Sequence, residues 1–106
     1  VGDGDVMGLL EAVIDRVRHV HFKDVREEKL QESREQNRSF LDSFLNGMFT
    51  VPGDGMIDFT QPYRFLVDHG YKEWILVEAE QDPAVANPHE YALKARDYVE
   101  KTLFNA

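Results

Sequence analysis

The chain is 106 residues long, carries a formal charge of −8 and contains no cysteine. That length allows one modest hydrophobic core and not two, and the absence of cysteine excludes disulfides, thiolate metal sites and cysteine nucleophiles within it. The acidic balance argues against general nucleic-acid binding, which needs a basic footprint, and no apolar run approaches the ~18 residues of a membrane span.

Residues 1–4 are turn-forming and begin without an initiator methionine or a signal-like pattern, so the expectation is a cytoplasmic chain with neither membrane nor nucleic-acid partners. Asp5 can cap a helix whose apolar face is Val6, Leu9, Leu10, Val13, Ile14 and Val17. A strand through His19–Lys23 follows almost at once. The run from Arg26 to Arg38 is polar nearly all round apart from Leu30, which reads as a well-solvated helix or a partly disordered segment. From Phe40 the pattern turns amphipathic (Phe40, Leu41, Phe44, Leu45), with Gly47 as its stop.

Residues 51–59 hold two glycines and predict a loop in which backbone can turn sharply or approach a ligand closely. A helix follows from Thr60, with Pro62 in its first turn and Gly70 at its end. The second strand spans Trp74–Glu80, and residues 81–86 form a loop. Asn87-Pro88-His89-Glu90 is a helix start: a capping amide, a proline in the first turn and an acid three residues after the cap. Tyr91, Ala95, Tyr98, Val99 and Leu103 make the buried stripe of that last helix.

Strands alternating with helices predict right-handed parallel β-α-β connections. Two such strands leave both edges open, and a closed barrel of this kind takes about 250 residues, so the chain reads as a piece of a larger sheet. Side-chain parity then picks out a face. Along an extended strand, His19, His21 and Lys23 point one way and Val20 and Phe22 the other; Leu76, Glu78 and Glu80 likewise share a face. Strands buried on both sides are normally aliphatic throughout. A polar inner face calls for compensation, by a bound cation or an anionic substrate.

Three stretches in order, HVHFKDVR, FTVPGDGMIDF and VEAEQDP with the following NPHEYALKARDY, closely resemble the C-terminal part of the myo-inosose-2 dehydratase family. These enzymes are part of the xylose-isomerase-like TIM-barrel superfamily of sugar isomerases, epimerases and apurinic-site endonucleases. The resemblance implies an α/β fold, the C-terminal fragment of a (β/α)8 barrel, in which residues 1–106 supply the end of unit 6 and units 7 and 8. The polar segment between Arg26 and Gly47 resembles the insertion that separates the dehydratases from smaller relatives. The implied activity is that of a hydro-lyase of myo-inositol catabolism, eliminating water from a cyclic polyol ketone, 2-keto-myo-inositol; a related isomerase or epimerase, or an inactive self-associating fragment, is the alternative.

Residue by residue, His21 matches the family's histidine metal ligand and Glu78 its final carboxylate, with two further carboxylates expected upstream of Val1. A lone strand histidine is more often a hydrogen-bonded structural group than a ligand; it is the pairing with Glu78 that favours the metal role. Manganese or cobalt is the expected cation, and a thiol such as glutathione is left open as a participant. Lys23 and Glu80 are the expected catalytic groups, although they also read as a plain cross-strand ion pair. Lys23 and Asp54 are the expected substrate contacts. His19 reads as structural, and Asp24 as either a helix cap or a substrate contact. Open strand edges and a bare inner face predict that the chain forms homo-oligomers.

Overall fold

The computed structural model describes residues 1–105. Helix α1 (Val6–Val13) starts where Asp5 accepts a hydrogen bond from the Gly8 amide at 2.9 Å. It ends earlier than its apolar spacing suggests, because the chain tightens into a 3-10 turn over Ile14–Arg16. Leu10, Ile14 and Val17 still reach the main core, a cluster built on Phe22, Phe59, Leu66 and Leu103.

Strand β1 (Val20–Phe22) pairs in parallel with β4 (Ile75–Val77), with Val20 opposite Ile75, His21 opposite Leu76 and Phe22 opposite Val77. The parallel pairing and its flanking helices are as the sequence predicts. Both strands are shorter than the expected spans 19–23 and 74–80. The ladder ends with one further bond, from the Glu78 amide to the Phe22 carbonyl at 2.9 Å. Beyond it the first strand leaves β4 and takes a new partner: β2 (Asp24–Val25) runs antiparallel to β3 (Phe49–Thr50). Neither short strand is visible in the hydrophobic pattern, since two residues carry no periodicity.

Between β2 and β3 lie α2 (Glu27–Glu35) and α3 (Phe40–Leu45), so the charged segment is an ordered helical hairpin. Its single apolar residue, Leu30, anchors it in a second small core with Val25, Met48 and Phe49. Gly47 closes α3 at φ +83°, where the Met48 amide bonds back to the Ser43 carbonyl; only a residue free of a Cβ takes that turn without strain.

Helix α4 (Thr60–Asp68) ends at Gly70, whose φ of +79° lets the Tyr71 amide reach the Leu66 carbonyl. Helix α5 (Pro88–Tyr98) begins as its sequence predicts: the Asn87 side chain accepts from the amides of His89 and Glu90 at 3.0 and 3.2 Å. A π turn over Val99–Leu103 continues it and buries Leu103. The helices cover the Val20 and Phe22 side of the sheet. The His21 side is left open.

Candidate metal and substrate site

The open side of the two-stranded sheet brings together the residues that strand parity assigns to it. Because β1 and β4 are parallel and in register, the first residue past β4 stands beside the end of β1. His21 Nδ1 lies 2.7 Å from Glu78 Oε2. Lys23 Nζ contacts Glu80 Oε1 and stands 3.5 Å from Glu78 Oε1. On its other side His21 Nε2 meets His19 Nε2 at 2.8 Å. Five polar side chains therefore form one continuous chain of contacts: His19, His21, Glu78, Lys23, Glu80.

Their charges do not cancel. Two carboxylates face one ammonium, leaving an excess negative charge when the imidazoles are neutral. The hydrogen bond from His21, reinforced by the Lys23 charge, holds the Glu78 carboxyl below its usual range. Burial works against the Lys23 ammonium, but the Glu80 hydrogen bond and the charges of Glu78 and Glu80 outweigh it, so its pKa is raised. Near neutral pH the site therefore holds an anionic Glu78 and a cationic Lys23. The side chains of His21 and Glu78 keep 43% and 38% of their exposure, so an incoming ion can reach both.

Two donors on one cation at ordinary bond lengths of ~2.0–2.2 Å stand about 3 Å apart. The His21–Glu78 pair needs to open only slightly to share an ion, and an imidazole with a carboxylate is a donor pair that suits a divalent metal ion. Among the described residues no group of three or more His, Cys, Asp or Glu side chains is placed to hold a metal.

Asp54, expected against the substrate, keeps different company. Its Oδ2 takes bonds from Thr50 Oγ1 at 2.6 Å and Arg26 Nη2 at 3.0 Å, and Lys94 Nζ holds Oδ1 at 3.0 Å. Partial burial pushes its pKa up, but the Thr50 hydroxyl, Lys94 and Arg26 prevail and hold it low. With both oxygens occupied it braces the glycine loop against α5, and it touches none of the five residues above.

Asp24 is neither a helix cap nor exposed to a ligand. It is fully buried and accepts three backbone bonds, from Val25 at 2.8 Å and from Gly55 and Ile57 at 3.0 Å each. That carboxylate fixes the turn of residues 53–57. Phe49 is a contact the sequence reading does not anticipate: its ring lies 4.6 Å from Lys23 Nζ, and Phe40 packs on the same ring. The helical hairpin thus reaches the site through one aromatic residue. An expected strand at 49–50 would have revealed it.

A parallel strand pair backed by helices, with polar groups gathered past the strand ends, is the architecture of an α/β barrel segment. The protein-family model described as Xylose isomerase-like TIM barrel matches residues 1–102, and the chain belongs to that family. Among curated relatives, the inosose dehydratase of Halalkalibacterium halodurans is 61% identical over 103 residues, covering 97% of this chain and 34% of that protein. Those of Bacillus velezensis and Salmonella typhimurium are each 57% identical over 105 residues, covering 99% of this chain and 35% of theirs. The chain thus spans about a third of the length of the relatives it matches.

Proposed function

We propose that the chain acts as the C-terminal segment of a metal-dependent inosose dehydratase, removing water from 2-keto-myo-inositol in myo-inositol catabolism. The supporting observation is the convergence of His21 and Glu78 from adjacent parallel strands, in a chain more than half identical to enzymes of that name. His21 and Glu78 hold a divalent cation, manganese or cobalt, with the remaining ligands supplied by other units of the barrel. Such an ion, when bound, polarises the ketone oxygen and makes the neighbouring C–H more acidic. Lys23 presents an ammonium to the negative charge that develops on that oxygen as a base from the rest of the barrel takes the α-proton; the β C–O bond then breaks and its hydroxyl, gaining a proton, leaves as water. Glu80, in contact with Lys23, fixes where the ammonium sits and offers a second carboxylate to the substrate hydroxyls. The enzyme works in the cytoplasm, and glutathione as an accompanying thiol is tested by adding it to the assay.

The test is to graft residues 1–106 in place of the matching C-terminal third of the Bacillus velezensis relative and to measure dehydration of inosose with added manganese or cobalt. The graft should be active, and His21→Ala or Glu78→Gln should each lower the rate about 100-fold to 1000-fold. Full activity in both variants would refute the assignment.

A second reading applies to the chain by itself. Open grooves border both strands: one of about 490 Å³ beside His19–Lys23, and one of about 370 Å³ beside Ile75 and Val77. Trp74 is 81% exposed at the second. Strand edges and apolar surface of this kind bury themselves by association, so the isolated chain forms oligomers with itself.

A further inference from the structure

We infer that His19 is a positioning residue: its ring accepts the proton that His21 has to carry on Nε2 when Nδ1 holds a cation. This rests on the proposed role of His21 and Glu78 as ligands. A neutral imidazole carries one N–H and one lone pair, and which nitrogen has which is set by its neighbours. Both nitrogens of His21 are engaged, Nδ1 with Glu78 at 2.7 Å and Nε2 with His19 Nε2 at 2.8 Å.

An ionised carboxylate can only accept, so without a cation Nδ1 of His21 carries the proton and donates to Glu78. Nε2 then holds the lone pair and accepts from the Nε2–H of His19. A cation shared by Nδ1 and Glu78 requires the opposite arrangement. The ring proton must stand on Nε2 of His21, and His19 must accept it.

His19 is built to switch. It is exposed and lies just outside the ladder that starts at Val20, and among the described residues its side chain makes no other hydrogen bond. The proton count stays fixed. His21 Nδ1 releases one proton to water, its Nε2 takes one from His19 Nε2, and His19 Nδ1 takes one from water. The two rings cross edge to face with centroids 4.7 Å apart, so His19 also limits rotation of the His21 ring. Partners of this kind, bonded to the far nitrogen of a ligand histidine, typically change metal affinity about 10-fold to 100-fold.

Two measurements test the inference. In the cation-free 106-residue chain at about pH 8, above the imidazole range, ring nitrogen NMR should show His21 protonated on Nδ1 and His19 on Nε2. His19→Ala should leave the His21 proton on Nδ1, where Glu78 holds it. In the barrel completed by the graft described above, zinc, which is diamagnetic, should move the His21 proton to Nε2. By calorimetry with manganese, His19→Ala should weaken binding roughly 10-fold to 100-fold. His19→Gln, whose amide oxygen can accept from Nε2–H, should recover most of that loss. Unchanged manganese affinity in His19→Ala would overturn the inference while leaving the ligand assignment standing. Unchanged manganese affinity in His21→Ala and Glu78→Gln would overturn both.

Discussion

Asp24→Asn is the substitution whose cost can be worked most directly from the structure. The carboxylate is fully buried and accepts from the amides of Val25 and Ile57 on Oδ1 and of Gly55 on Oδ2. Asparagine has the same shape but a single acceptor oxygen. Placed toward Val25 and Ile57, that oxygen keeps two of the three bonds and turns an NH2 group toward the Gly55 amide. One bond to a charged acceptor is lost, and the Gly55 amide and the new NH2 group face each other as two donors without an acceptor, a change worth at least about 1.5–3 kcal/mol. With a urea slope of about 1.5 kcal/mol/M for a domain this size, the midpoint should fall by about 1–2 M at constant slope. Asp24→Ala orphans all three amides and should cost more. A shift below about 0.3 M for Asp24→Asn would refute the view that this carboxylate holds the glycine loop, by the same scaling.

Gly55→Ala should be destabilising by several kcal/mol and lower the melting temperature, because its Cβ would fall 2.4 Å from Asp24 Oδ1 and 2.5 Å from the Val25 carbonyl; a melting temperature equal to the parent's would contradict this. Acid stability should depend on Asp54. Its pKa is lowered in the folded chain, so its stabilising contribution is complete above the ordinary carboxylate range and is lost as pH falls through the folded value. Urea midpoints followed downward from neutral pH should therefore drop less steeply in Asp54→Asn. Lys23→Met in the completed barrel should slow dehydration about 100-fold while leaving manganese affinity nearly intact, which separates its role from that of the ligands. Light scattering of the isolated chain at micromolar concentration should give a mass above 12.3 kDa, whereas a stable monomer would count against association through the open edges.

Much of the site is legible in the sequence because strand parity is a rigid rule. Once 19–23 and 74–80 are read as strands, His21 has to share a face with Lys23 and Glu78 with Glu80; the register, His21 opposite Leu76, then puts both pairs on the same side. The helix caps at Asp5 and Asn87 and the stops at Gly47 and Gly70 are equally local, each needing only its own neighbours. What the pattern does not carry is long-range polar bonding. Asp24 and Asp54 both sit in turn-like, acidic surroundings where a cap or a ligand contact is the natural expectation. Apart from Val25 and Thr50, their partners lie more than twenty residues away, on the glycine loop, on Arg26 and on α5. The β2–β3 pairing escapes notice for the same reason, and with it the placement of Phe49 beside Lys23. The segment 26–38 looks disordered or solvated by composition, yet Leu30 alone gives it a point of attachment to a core.

The central claim is that His21 and Glu78 ligate one divalent cation. Crystals of the completed barrel grown with manganese, measured at the manganese absorption edge, test it most directly. The account predicts a single strong anomalous peak bonded to Nδ1 of His21 and to a carboxylate oxygen of Glu78. A peak bonded to neither side chain, or a fully occupied manganese site that survives in Glu78→Gln, would contradict it.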